Sequence, residues 1–158
     1  MKKFFVLLIT LFFAGIVYAQ DFSVYKLNNG QIVVLQEVKT NPIVTIDTWI
    51  KTGSINENDE NNGVSHFLEH LFFKGSTNHA PGEFDKILEN KGALTNAATS
   101  KDFTHYYIKI PSKDFDLALE MHSDMLLHPL VPRKELEKER KVVIEEIMKD
   151  ANSPNTLV

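Results

Sequence analysis

Residues 63–76 read Gly63-Val64-Ser65-His66-Phe67-Leu68-Glu69-His70-Leu71-Phe72-Phe73-Lys74-Gly75-Ser76. Phe67, Leu68, Leu71 and Phe72 recur at the spacing of one helix face. Asn62 is placed to cap the start, and Gly75 is placed to end the helix. The stretch therefore predicts a helix from about residue 62 to residue 75. Residues three and four apart lie on the same side of a helix, so His66, Glu69 and His70 project together.

The flanking sequence supplies a sheet for that helix to pack on. Val24 to Leu27 and Gln31 to Val38 read as two strands joined at Asn28-Asn29-Gly30, residues that tolerate the positive φ of a tight turn. Ile43 to Lys51 reads as a third strand, although Ile43 and Trp49 blur its alternation. Residues 53–62 form a polar loop. Glu83 to Asn90 reads as a short helix between Pro81 and Gly92. Ala93 to Ala98 and Phe103 to Ile110 read as strands, the latter rich in aromatic and β-branched residues. Ser112 is the expected cap of a helix that runs to His128 and stops at Pro129. Asp114 and Asp116 fall in its first turn, where the helix dipole favours negative charge. A last helix opens at Pro132 and continues to about Asp150. Strands first, then helices interleaved with strands, predict an α+β fold: a mixed, largely antiparallel sheet with helices packed on one face.

Composition agrees with a globular chain. Of 158 residues, 43% are hydrophobic and 24% charged, and the formal net charge is −4. No basic block points to nucleic acid. Lys2 and Lys3 precede an apolar run from Phe4 to Val17, and Val17-Tyr18-Ala19 resembles a peptidase cleavage site. Residues 1–19 are therefore expected to be a signal peptide, with export to a periplasm or outside the cell. An uncleaved membrane anchor is the alternative, but the run is short for a span of about 20 apolar residues. The remaining residues, 20–158, are expected to form one domain. With no Cys in the chain, any metal must be held by His, Asp or Glu.

Two imidazoles one turn apart can reach one cation at about 2.0–2.1 Å. The carboxylate between them can take a proton from a metal-bound water. An open catalytic site needs a third protein ligand. The last helix offers several carboxylates. Its apolar stripe is Leu136, Val143 and Ile147, and at 3.6 residues per turn Glu145 points away from it. Glu139 and Glu146 flank the stripe and are better placed to face a neighbour. Glu135, Glu137 and Glu145 read as solvating residues.

These residues resemble the inverted-zincin peptidases of the pitrilysin and mitochondrial processing peptidase type, whose signature is HxxEH. The resemblance extends to Leu27–Gly30, to residues 63–76, to Gly92-Ala93-Leu94-Thr95-Asn96-Ala97-Ala98-Thr99-Ser100, and to Glu139-Arg140-Lys141-Val142-Val143-Ile144-Glu145-Glu146. It implies a zinc-dependent endopeptidase in which His66, His70 and Glu146 bind Zn2+ and Glu69 is the general base. It implies that Glu139 supports the site, and that Asn96 and Ala97 hold a peptide or unfolded polypeptide on a sheet edge. Read from its residue type alone, the alternative for Asn96 is a turn residue.

The family's active unit is longer and pairs this kind of domain with a second homologous half or partner subunit. Residues 20–158 are accordingly expected to be an N-terminal zinc-peptidase domain, incomplete at its C-terminal end and inactive as an isolated piece. The alternative is a non-catalytic peptide-binding or partner subunit. A structural zinc site is a third reading, but three ligands without Cys fit an open site better. His79, His105, His122 and His128 read as surface or packing residues, with His128 paired to Asp124 one turn back. Phe72 and Phe73 read as core rather than substrate pocket.

Overall fold

The computed structural model describes residues 22–152, so the expected signal peptide, residues 1–19, lies outside them. The chain divides into two compact units at Asn41 and Pro42. The first carries a hairpin of β1 (Phe22–Lys26) and β2 (Ile32–Gln36), paired antiparallel with Tyr25 opposite Val33. Gly30 turns it with φ 90°, in the region that only glycine enters at little cost. The Leu27 N–H donates to Gln31 O across the turn at 2.8 Å.

The second unit is built on β3 (Ile43–Ile50), β4 (Leu94–Thr99) and β5 (Thr104–Pro111), in the order β3-β5-β4 and antiparallel throughout. Four helices accompany them: α1 (Val64–Phe72), α2 (Glu83–Asn90), α3 (Phe115–Leu127) and α4 (Arg133–Ala151). The α+β class and the antiparallel sheet match the reading of the sequence. On the central strand β5, Thr104, Tyr106, Ile108 and Ile110 are buried while His105, Tyr107 and Lys109 are not. That period of two gives the sheet one core face. Phe84 and Leu88 of α2 and Ala118, Met121 and Met125 of α3 pack on it. β3 alternates too: Val44, Ile46 and Thr48 are half-buried. Ile43 and Trp49, which blurred its pattern, point to the open face.

Two expected caps are not what the structure uses. The N-cap position of α1 is Gly63, with φ 88° and no side-chain cap. The Glu57 carboxylate reaches back instead, accepting from the Gly63 N–H at 2.7 Å and the Ser65 N–H at 2.8 Å. A carboxylate at the positive end of the dipole does what Asn62 was expected to do. Its pKa is lowered, first by the Ser65 hydroxyl and then by those two N–H groups. Ser112 likewise opens a 3-10 turn, Ser112–Asp114, rather than α3 itself, whose first flanking residue is Asp114.

Candidate functional site

α1 crosses α4, and the polar residues of both meet at the crossing. His66 and His70, one turn apart, bring their Nε2 atoms to 3.2 Å of each other. Glu146 of α4 closes a triangle: its Oε2 lies 3.6 Å from His66 Nε2 and 3.4 Å from His70 Nε2. Among the described residues this is the one group of three or more His, Asp or Glu side chains able to converge on a cation. Donors on a tetrahedral zinc, each at about 2.0–2.2 Å, stand about 3.3–3.5 Å apart. One of the three separations lies in that range and the other two just below and just above it, so the donor set fits the ion in type and in spacing.

Glu139, two turns before Glu146 on α4, is 7% exposed. Its Oε2 accepts from His70 Nδ1 at 3.2 Å, and its Oε1 accepts from Lys74 Nζ at 3.0 Å. A carboxylate cannot donate, so this contact keeps the proton on Nδ1 and leaves the Nε2 lone pair facing the triangle. Lys74 offsets the buried negative charge. Lys74 was not singled out in the sequence, although it lies four residues past His70 and so on the same helix face.

Glu69 stays outside the triangle. Its Oε2 accepts from the Thr99 hydroxyl at 2.5 Å, at the end of β4. Thr99 was also missed, and again a periodicity points to it: Ala97 and Thr99 are two apart and share a face of β4. Tyr106 is buried nearby, and burial, followed by the negative charge of Glu69, pushes its hydroxyl pKa up.

β4 is an edge of the three-stranded sheet. Asn96 and Ala97 lie on it, in the strand and not in a turn. The Ala97 N–H donates to Asn96 Oδ1 at 2.9 Å. Between this edge and α1 opens a cleft of about 280 Å³ lined by Glu69, His70, Phe73, Thr95, Asn96 and Ala97, with Lys74 and Asp85. Phe73, expected in the core, does pack against the core cluster, but one side of it also faces this cleft.

The remaining histidines fall outside the site. His122 is 3% exposed and pairs through Nε2 with Thr48 Oγ1 at 2.8 Å; its Nδ1 is buried and has no partner among the described residues. Desolvation lowers its pKa. His79 and His128 both contact Asp124, at 3.1 Å and 3.3 Å. The His128 pair is the one expected from spacing, but Asp124 is buried, not on the surface. It also accepts from the Ser76 hydroxyl and from Asn78 Nδ2. Led by the Ser76 contact, these bonds hold its pKa at about 2.

Fold and site together define a class: an α+β domain with three convergent donors at a helix crossing, a separate carboxylate beside them, and an open strand edge. The chain belongs to the insulinase family, peptidase family M16, which matches residues 32–158. It is 40% identical over 134 residues to the Bacillus subtilis protein named uncharacterized zinc protease YmxG, covering 85% of this chain and 33% of that one. It is 41% identical over 103 residues to the Homo sapiens mitochondrial-processing peptidase subunit beta, covering 65% and 21% of the respective chains. A solved structure of a protease from Helicobacter pylori superposes with a TM-score of 0.82 at 37% identity, covering 87% of this chain and 33% of that one. The chain thus spans about a third or less of the length of these relatives.

Proposed function

We propose that this chain is the metal-bearing part of a zinc-dependent endopeptidase. The observation that carries the reading is the division of labour in the HFLEH helix. His66 and His70 converge with Glu146, while Glu69 is held apart by Thr99 with a carboxylate oxygen free for proton transfer. Zinc held by His66, His70 and Glu146 would polarise a water and lower its pKa towards 7. Glu69 would accept that water's proton and pass it to the leaving amine. Glu139 orients His70 through Nδ1, and Lys74 holds Glu139. The β4 edge would take the peptide as an added strand, with Ala97 N–H released from Asn96 to the substrate backbone.

The natural context we propose is an exported protein, on the strength of the Lys2-Lys3 and Phe4–Val17 pattern. Its partner would be a second homologous half or subunit, a reading that draws on the relative named as a peptidase subunit.

Glu69→Gln tests the assignment in the full-length protein. It should reduce peptide hydrolysis by at least about a hundredfold while zinc stays stoichiometric. Full activity in this variant would remove Glu69 from its role. Absence of stoichiometric zinc in the wild-type protein would favour a non-catalytic binding subunit instead.

A further inference from the structure

The cleft beside Glu69 carries a charge that the proposed chemistry does not use. Of its charged lining residues, Lys74 is paired with Glu139 at 3.0 Å and Glu69 is bonded to Thr99. Asp85, in the first turn of α2, has no hydrogen bond or ion pair to its carboxylate among the described residues. The dipole of α2 favours a negative charge at that position. Next to it is an apolar surface packed from behind: the Phe73 ring lies edge-on to Phe84 at 6.0 Å and is tilted on Tyr106 at 6.2 Å. Opposite, β4 lines the cleft with Thr95, Asn96 and Ala97, so the space is kept open by short side chains.

A peptide extended along the β4 edge sends alternate side chains to this face. The pocket they meet has an aromatic ring and a small methyl for walls and an uncompensated carboxylate at one side. Lysine and arginine combine an apolar stem with a terminal cation and complement both parts. We propose that Asp85 is a specificity-determining residue that selects a basic side chain in the bound peptide. The occupant, though not the cleft, rests on the peptidase reading above.

The test separates binding from hydrolysis. Full-length protein carrying Glu69→Gln is titrated with labelled peptides in which one residue is arginine, methionine or glutamate and its position walks along a neutral extended sequence. At one position arginine should bind about fivefold more tightly than methionine, the size of a partly exposed ion pair. Adding Asp85→Asn should collapse that ratio to about one, Asp85→Lys should shift preference to glutamate, and Asp85→Glu should keep it. An arginine-to-methionine ratio that survives Asp85→Asn, a preference for glutamate in the parent, or no binding of any peptide would overturn the proposal. Hydrolysis of the same peptides by protein with Glu69 intact is scored separately. Arginine preference without hydrolysis counts against the peptidase reading and leaves the role of Asp85 standing.

Discussion

Glu139 shows how much of a site depends on a residue that need not touch the metal. It joins α4 to His70 Nδ1 of α1 and to Lys74 Nζ, two residues past the end of α1. Glu139→Gln keeps the size but loses the charge, and an amide can donate where the carboxylate only accepts. The hold on the His70 tautomer weakens, and Lys74 loses its counter-ion. Partners of this kind are worth about 10–100-fold in metal affinity. We therefore expect zinc affinity, measured by chelator competition, to fall by about that factor in Glu139→Gln. Lys74→Met should weaken it less, because the His70 contact remains. Equal affinity in Glu139→Gln and wild type would reduce the contact to simple packing. In the sequence Glu139 was legible as an edge residue of its helix. What it touches was not, because a helix face is read within one segment and the partner lies 69 residues away.

At the scale of elements, the segments themselves were largely readable, and their ends were not. The strictly alternating β5 and the apolar face of α1 announce themselves by period. The cap of α1 does not, because Glu57 reaches it from a loop six residues upstream of Gly63. Glu57→Ala should cost about 1 kcal/mol, as other N-terminal caps do, and denaturant unfolding would measure it. Asp124 plays a comparable part for the turn at Ser76–His79, clasping it to α3. Its folded pKa of about 2 lies below the ordinary 3.8. The unfolded chain therefore takes up a proton first as pH falls, and stability drops. This contribution is full above about pH 4 and lost towards pH 2; at most it is about 2 kcal/mol. His122 acts in the same direction at higher pH. Burial lowers its pKa from 6.5, so below that pH the unfolded state again binds the proton that the folded state refuses. Unfolding free energy should thus fall with acid in two stages. Asp124→Asn should flatten the lower one and His122→Asn the upper one. A stage that survives its own substitution belongs to another group.

Across the second unit, stability is unevenly distributed. The central cluster joins β5 to α2 and α3 through Phe84, Leu88, Tyr106, Ile108, Ile110, Ala118, Met121 and Met125. Among the described residues, none of α4 belongs to it. Among the described residues, α4 buries only Glu139 and Val143, and it leaves Val142, Ile144, Ile147 and Met148 substantially exposed. Polar contacts of the site join the helix to α1, beside the buried Val143. A ligand that bridges His66, His70 and Glu146 would therefore act as a clamp between two elements, one of them outside the core cluster. Binding to the folded state alone stabilises by about 2.7 kcal/mol at a hundred times the dissociation constant. If α4 opens locally, most of that gain appears there before it appears in the core. We expect hydrogen exchange of residues 133–149 to slow on adding zinc and to quicken on chelation, with Thr104–Ile110 changing little until global unfolding is reached. Glu146→Gln should blunt the zinc response of α4 without altering the exchange of β5. Equal protection of α4 with and without zinc would show that the helix is held by packing alone, and that Glu146 does not bind the ion.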